Sequence, residues 1–279
     1  MEEIERLSEE NQPQATNGAF HVPTVAELKA KGEEPELLFW VGCAGAFDDR
    51  YQKVTRDFVK ILHKVGIKYA VLGTEESCTG DPAKRAGNEF VYQMQAMKNI
   101  EMLNGYNIKT IVTACPHCFN IFKNEYPELG GTYEVHHHST FLQQLINEGR
   151  LKVADGGEFK GKTITFHDSC YLGRGNGIYE APRKILEALD ANLVEMRRNR
   201  SKGLCCGAGG AQMFKDAEKG DKEVNIERTE EALETNPSII ATACPFCMTM
   251  LTDGVKDKNK EQEVKVMDLA ELIVKANNI

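Results

Sequence analysis

The chain has 279 residues, with 34 Lys plus Arg against 42 Asp plus Glu and a net charge of −8. That length can bury a sizeable core, as one large domain or as two of about 100 to 150 residues each. The acidic balance excludes a protein built to coat nucleic acid or an anionic membrane. The near-apolar runs 37–47 and 239–251 are broken by Gly, Thr or Pro and fall short of the roughly 18 residues a spanning helix needs, so no direct membrane span is expected. The opening MEEIERLSEE lacks the basic-then-apolar order of a signal peptide, and cytoplasmic residence is the expectation.

Residues 1–35 are rich in Glu and free of Cys, with a Gln/Asn/Pro/Thr stretch at 11–18, the composition of an acidic flexible leader. Thr24 followed by Glu27 makes a capping box and predicts a short helix over 25–31. From Leu37 onward short apolar stretches predict strands at 37–41, 69–72, 111–113, 133–136, 163–166, 193–196 and 238–242. Between the first two, Tyr51, Val54, Phe58, Ile61, Leu62 and Val65 share one helical face. Strands alternating with amphipathic helices imply an α/β fold with parallel sheets and helical crossovers.

The chain also repeats itself. Cys43 recurs as Cys170, Cys78 as Cys205, Cys115 as Cys244 and Cys118 as Cys247, and TACPHCF at 113–119 matches TACPFCM at 242–248. Two tandem, similar α/β domains follow, over 36–155 and 156–279, joined through the Gly-rich stretch 152–162. One substitution breaks the match, because Thr79 stands where the second copy has Cys206. The first domain therefore has four cysteines and the second has five.

Cys43, Cys115, Cys170 and Cys244 each follow a predicted strand, at the carboxyl ends where open α/β sheets bind ligands. Pro116 and Pro245 suit the first turn of a helix, which puts Cys118 and Cys247 near helix N-termini that favour thiolate. Nine cysteines in a reducing compartment point to metal or redox chemistry rather than disulfides. A thioredoxin-like dithiol leaves Cys43, Cys78, Cys170, Cys205 and Cys206 unexplained, and buried structural thiols do not explain why all nine fall inside the repeat. Tetrahedral zinc suits four thiolates and not five. Four thiolates match an ordinary [4Fe-4S] cube, and a fifth allows a bridging or open-iron role.

At these residues the chain resembles the cysteine-rich CCG-domain family of iron-sulfur oxidoreductases, typified by the B and D subunits of heterodisulfide reductase. FWVGCAG at 39–45, ESCTGDP at 76–82 and HDSCYLGR at 167–174 are similar to the branch found beside electron-transfer flavoprotein and acyl-CoA dehydrogenase. The resemblance implies two CCG domains, with a noncubane [4Fe-4S] cluster held by Cys170, Cys205, Cys206, Cys244 and Cys247. It places Cys205 and Cys206 where an acceptor is reduced. Cys43, Cys78, Cys115 and Cys118 match the degenerate first motif, whose occupant is a [4Fe-4S] cluster, zinc or nothing.

The implied function is electron transfer from a partner, a ferredoxin-like iron-sulfur subunit or electron-transfer flavoprotein, to a disulfide or quinone-type acceptor. The implied membrane association is peripheral, through that partner. The ferredoxin-type cysteine motifs that precede this region in larger relatives are not found before Cys43, so electrons are expected from another polypeptide. The rival readings are a lactate or glycolate oxidase-type relay subunit and a zinc-stabilised assembly subunit without redox activity.

Gly207, Gly209 and Gly210 follow the cysteine pair and could aim backbone N–H groups at a cluster, or form a plain turn. His167 and Asp168 are the acids nearest the second motif and the candidate proton donors. Arg197, Arg198, Arg200 and Lys202 form a basic island that reads as a docking patch or a solvated loop. His136, His137 and His138 end a strand, so alternate rings face opposite sides.

Overall fold

A computed structural model of the protein describes residues 21–153, 157–216 and 219–279. The first half runs α1 (Val25–Ala30), β1 (Leu37–Trp40), α2 (Gly42–Phe47), α3 (Asp49–Lys64), β2 (Tyr69–Ala70), α4 (Asp81–Arg85), α5 (Glu89–Gly105), β3 (Thr110–Thr113), α6 (Pro116–Asn120), β4 (Glu134–His137) and α7 (His138–Asn147). The second runs β5 (Thr163–Phe166), α8 (Glu180–Ala188), β6 (Asn192–Leu193), α9 (Val224–Leu233), β7 (Ile239–Thr242), α10 (Pro245–Asp257), β8 (Lys265–Asp268) and α11 (Leu269–Asn277). Each half makes a parallel four-stranded sheet, in the orders β2-β1-β3-β4 and β6-β5-β7-β8. The central strands LLFW and IIAT are buried along their whole length, as parallel strands covered by helices on both faces must be.

The periodicity locates seven of these strands. β2 and β6 are shorter than expected, and β8 is absent from the predicted set because Lys265 and Asp268 flank only two apolar residues. The repeat carries the missing signal, since β8 and its helix stand to the second half as β4 and α7 stand to the first. In α3 the predicted face is buried through Tyr51, Val54, Phe58, Ile61 and Leu62.

The leader expected through residue 35 falls partly outside the described residues. Within them, helix α1 is real, and both halves of the Thr24–Glu27 capping box form. Thr24 bridges to Val71, and Val25 and Leu28 are buried in the first domain, so this segment is packed rather than free. Burying such side chains contributes about 1.5–3 kcal/mol each, which with the capping box offsets a large part of the roughly 1–2 kcal/mol per residue of backbone entropy lost on ordering the helix.

The two halves do not each close their own core. Helix α7, leaving β4, packs on α8 of the second half, and α11, leaving β8, packs on α3 of the first. One apolar cluster therefore runs through both, joining Phe39, Tyr51 and Phe58 to Ile164, Phe166, Ile240 and Leu272. Polar groups lock the crossing. His138 Nε2 lies 2.8 Å from Asp268 Oδ1, with both side chains fully buried, and Tyr51 donates to the Ala114 carbonyl at 3.1 Å while lying 3.3 Å from Asp268 Oδ2. Arg50 donates two bonds to Glu271, at 2.9 and 2.7 Å. Among the described residues no helix is long and apolar enough to cross a membrane.

Candidate functional site

All nine cysteines are free thiols, and the fold gathers them into the two sets that the repeat predicts. In the first, Cys43 sits in the opening turn of α2, Cys78 in the loop before α4, and Cys115 and Cys118 at the start of α6. With Trp40, Thr79, His117 and Phe246 they line one cavity at the carboxyl ends of β1 and β3. The half-buried Glu76 carboxylate ties two of these loops together by accepting from the Val41 N–H at 3.1 Å and from the Gly42 N–H. Burial pushes its pKa up to about 7.

Gly42 and Gly80 have positive φ of 76° and 88°, a left-handed backbone that suits glycine and turns the chain sharply around the sulfurs. A Cβ at Gly80 would press on Tyr92 at 3.0 Å.

The thiols of a set share protons. Cys43 donates to Cys78, which raises its own pKa and brings Cys78 down to about 6. Burial pushes Cys115 up, yet hydrogen bonding from Cys118 and the charge of His117 outweigh it and bring Cys115 to about 7. Low-pKa thiols are the groups that surrender protons to a metal.

The second set repeats this arrangement with one thiol more. Cys205 is held well below the ordinary thiol value by hydrogen bonds from Cys170 and Cys206, and Cys206 Sγ lies 3.3 Å from Cys247 Sγ. In the first set the hydroxyl of Thr79, itself buried, lies 3.9 Å from Cys118 Sγ, so it occupies the place that Cys206 takes in the second. The Gly207 N–H donates to Cys205 Sγ at 3.3 Å, and the Gly80 N–H donates to Cys78 Sγ at 3.4 Å. Gly209 and Gly210 belong to a turn that the Gln212 N–H closes onto the Gly209 carbonyl, with no bond to sulfur. Each set has a half-buried edge, Cys43 with Cys78 and Cys170 with Cys205, and a buried remainder.

The candidate proton donors are placed beside the second set in other postures. Asp168 accepts from Arg183 Nη1 at 2.8 Å, from Arg183 Nη2 at 2.9 Å and from the Arg200 N–H at 2.6 Å, which commits both its oxygens to holding the loop. His167 is wholly buried, and burial followed by the neighbouring Arg228 charge lowers its pKa to about 3, so it is neutral. A ring nitrogen of His167 lies within 4.8 Å of the Cys206 and Cys247 sulfurs. Two members of the basic island are paired, Arg198 with Glu227 and Glu231 and Arg200 with Glu180 and Glu195, while Arg197 and Lys202 are exposed. His137 caps α7, while His136 meets Glu134 near the surface.

Sequence reasoning did not foresee that the two sets face each other. His117, from the first CxxC, stacks on Tyr171 at 4.3 Å and meets Phe246, from the second CxxC, at 5.0 Å between ring centroids. Ala44, next to Cys43, packs against the second set. His117 is held by Asp81 at 2.9 Å, which accepts in turn from Arg85 at 3.0 Å. Burial pulls the His117 pKa down, but Asp81 and Cys115 hold it above the ordinary value. The paired spacing of His117 and Phe246 in the repeat was the available signal.

Residues 37–123 and 164–252 match the CCG family, described as "Cysteine-rich domain". The chain belongs to this cysteine-rich domain family. The two CCG matches fall on the two sheets and take in all nine cysteines. The chain is 47% identical over 256 residues to "Probable iron-sulfur-binding oxidoreductase FadF" of Bacillus subtilis, covering 91% of this chain and 36% of that protein. It is 44% identical over 255 residues to "EtfAB:quinone oxidoreductase" of Syntrophomonas wolfei, covering 89% and 35%. It is 35% identical over 280 residues to the D subunit of the dihydromethanophenazine:CoB--CoM heterodisulfide reductase of Methanosarcina barkeri, covering 93% and 66%. The chain thus spans about a third of the length of the first two relatives. These CCG relatives are named iron-sulfur proteins and oxidoreductases, which supports iron-sulfur binding here.

Proposed function

We propose that this chain is an iron-sulfur electron-transfer module of an oxidoreductase, with its principal site on the second domain. The observation that carries the reading is the convergence of five thiols, with Cys206 against Cys247 at 3.3 Å, where the first set places a hydroxyl. Five thiols exceed what tetrahedral zinc takes, whereas they suit a noncubane [4Fe-4S] cluster held by Cys170, Cys205, Cys206, Cys244 and Cys247. When bound, such a cluster supplies one-electron redox chemistry and an iron able to hold a thiolate. The protein's part is to bring the thiols together around Cys205, whose pKa is already lowered, to aim the Gly207 N–H at its sulfur, and to keep water from the buried face through Phe246, Met213 and Met250.

The acceptor is of disulfide or quinone type. The donor is a ferredoxin-like iron-sulfur subunit or an electron-transfer flavoprotein, as the names of the relatives suggest. The four-thiol set fits a [4Fe-4S] cluster or zinc equally well by donor count, and its stacking on Tyr171 and Phe246 favours a relay role beside the first site. Protein purified without oxygen is assayed for iron, acid-labile sulfide and zinc. About four irons support the second set alone, and about eight support both sets. Iron-free protein carrying about one zinc, unchanged by attempted reconstitution, overturns the electron-transfer reading in favour of a zinc-stabilised platform.

A further inference from the structure

His167 has two ring nitrogens with different fates. Nδ1 accepts from Arg228 Nε at 2.9 Å, and an arginine donor is never deprotonated in proteins, so Nδ1 must offer its lone pair. A neutral imidazole then carries its one proton on Nε2, which is buried and has no hydrogen-bond partner within the protein. This removes His167 from the metal-ligand set, because Nε2 could bind a metal only if the ring had lost both protons. What remains is an unused, buried N–H on a ring that has a nitrogen within 4.8 Å of the Cys206 and Cys247 sulfurs.

The first domain repeats the device. The repeat and the strand register both place Trp40 where the second domain has His167, one at the end of β1 and the other directly after β5. Trp40 lines the cavity of the first cysteine set, and its Nε1–H is likewise buried without a partner. Indole nitrogen can only donate. A buried donor without an acceptor costs about 1–3 kcal/mol, and two at matching positions beside two thiol clusters call for a common acceptor.

We propose that His167 is a positioning residue that donates an Nε2–H···S hydrogen bond to the group held by the second cysteine set, fixed in that tautomer by Arg228, with Trp40 as its counterpart at the first set. The proposal rests on the iron-sulfur reading of the second set. A donor aimed at sulfur stabilises the more negative, reduced state and so raises the reduction potential.

The test combines nitrogen-15 spectra of histidine in the iron-free protein with potentiometry of the iron-loaded protein. The expected spectrum shows His167 neutral and protonated on Nε2 at pH 7. His167→Leu should lower the ratio of reduced to oxidised cluster at fixed potential about tenfold, a shift of about 59 mV for one electron. His167→Gln, whose amide can accept from Arg228 and still donate, should retain the wild-type potential. Where the Leu variant does not fold, His167→Asn, polar but too short to reach, should give the same shift. A proton on Nδ1, or iron-loaded Leu or Asn variants at the wild-type potential, would overturn this inference alone. Iron absent from every preparation would overturn it together with the proposed function.

Discussion

A hydroxyl in place of a thiol separates the two cysteine sets. Thr79 and Cys206 occupy matching positions after Cys78 and Cys205, both are buried, and each approaches the second cysteine of its CxxC. The threonine side chain, with its extra methyl, is close in volume to that of cysteine, so packing tolerates either, but only thiolate is a strong ligand for iron. Cys206→Ala should therefore lower bound iron and change the electron paramagnetic resonance spectrum, while Thr79→Ala leaves the iron-to-protein ratio unchanged. Iron analysis of both variants beside the wild type checks this, and equal loss in the two would count against assigning the fifth ligand to Cys206.

At the scale of the element, helices α9 and α10 show how closely the second site is buttressed. Gly254 on α10 faces Thr229 on α9, and a Cβ there would stand 2.1 Å from the Thr229 hydroxyl, which is fully buried. Alanine gains about 1 kcal/mol over glycine in a helix interior, but overpacking a buried contact costs about 1–3 kcal/mol and sometimes more. At 2.1 Å the clash wins, and Gly254→Ala should destabilise by about 1–2 kcal/mol in urea unfolding, with Thr229→Ala restoring most of the loss.

The outer ends of these helices are tied by charge, since Glu230 meets Lys222 at 2.6 Å and Lys258 at 2.8 Å. Hydrogen bonds from these lysines lower the Glu230 pKa from 4.5 to about 2. The folded value lies below the unfolded one, so the stabilisation is present above pH 4.5 and lost as pH falls toward 2. The gap between the urea midpoints of wild type and Glu230→Gln should narrow as pH drops below 4.5, and also in high salt, because the carboxylate is exposed.

At the scale of the whole molecule, the crossing of α7 and α11 makes the two domains one cooperative unit. Asp268 stands at its centre, capping α11 through the Ala270 N–H at 2.9 Å, meeting His138 at 2.8 Å and reaching Tyr51. Removing it leaves the buried His138 ring and the Ala270 N–H without their acceptor at once, while Tyr51 keeps the Ala114 carbonyl. Asp268→Ala should destabilise by about 3–5 kcal/mol, and in a single unfolding transition seen equally by near-ultraviolet and far-ultraviolet circular dichroism. Two separate transitions would show that the halves fold independently despite their common core.

The α/β class, the two copies, seven of the eight strands and the membership of both cysteine sets were legible in the sequence. They are carried by local apolar periodicity and by spacing along one chain, and the resemblance of the cysteine motifs to CCG proteins rests on the same linear pattern. The exchange of α7 and α11, the stacking of His117 on Tyr171 and Phe246, the commitment of Asp168 to Arg183 and the tautomer of His167 were decided only by tertiary structure. Asp168 and His167 sit close to a cysteine in sequence, which made them plausible acids. What each can do depends on an arginine 15 or 61 residues away, on helices α8 and α9 that meet it only when the second half folds. A residue's protonation follows from burial and from those distant partners, and no local pattern records them.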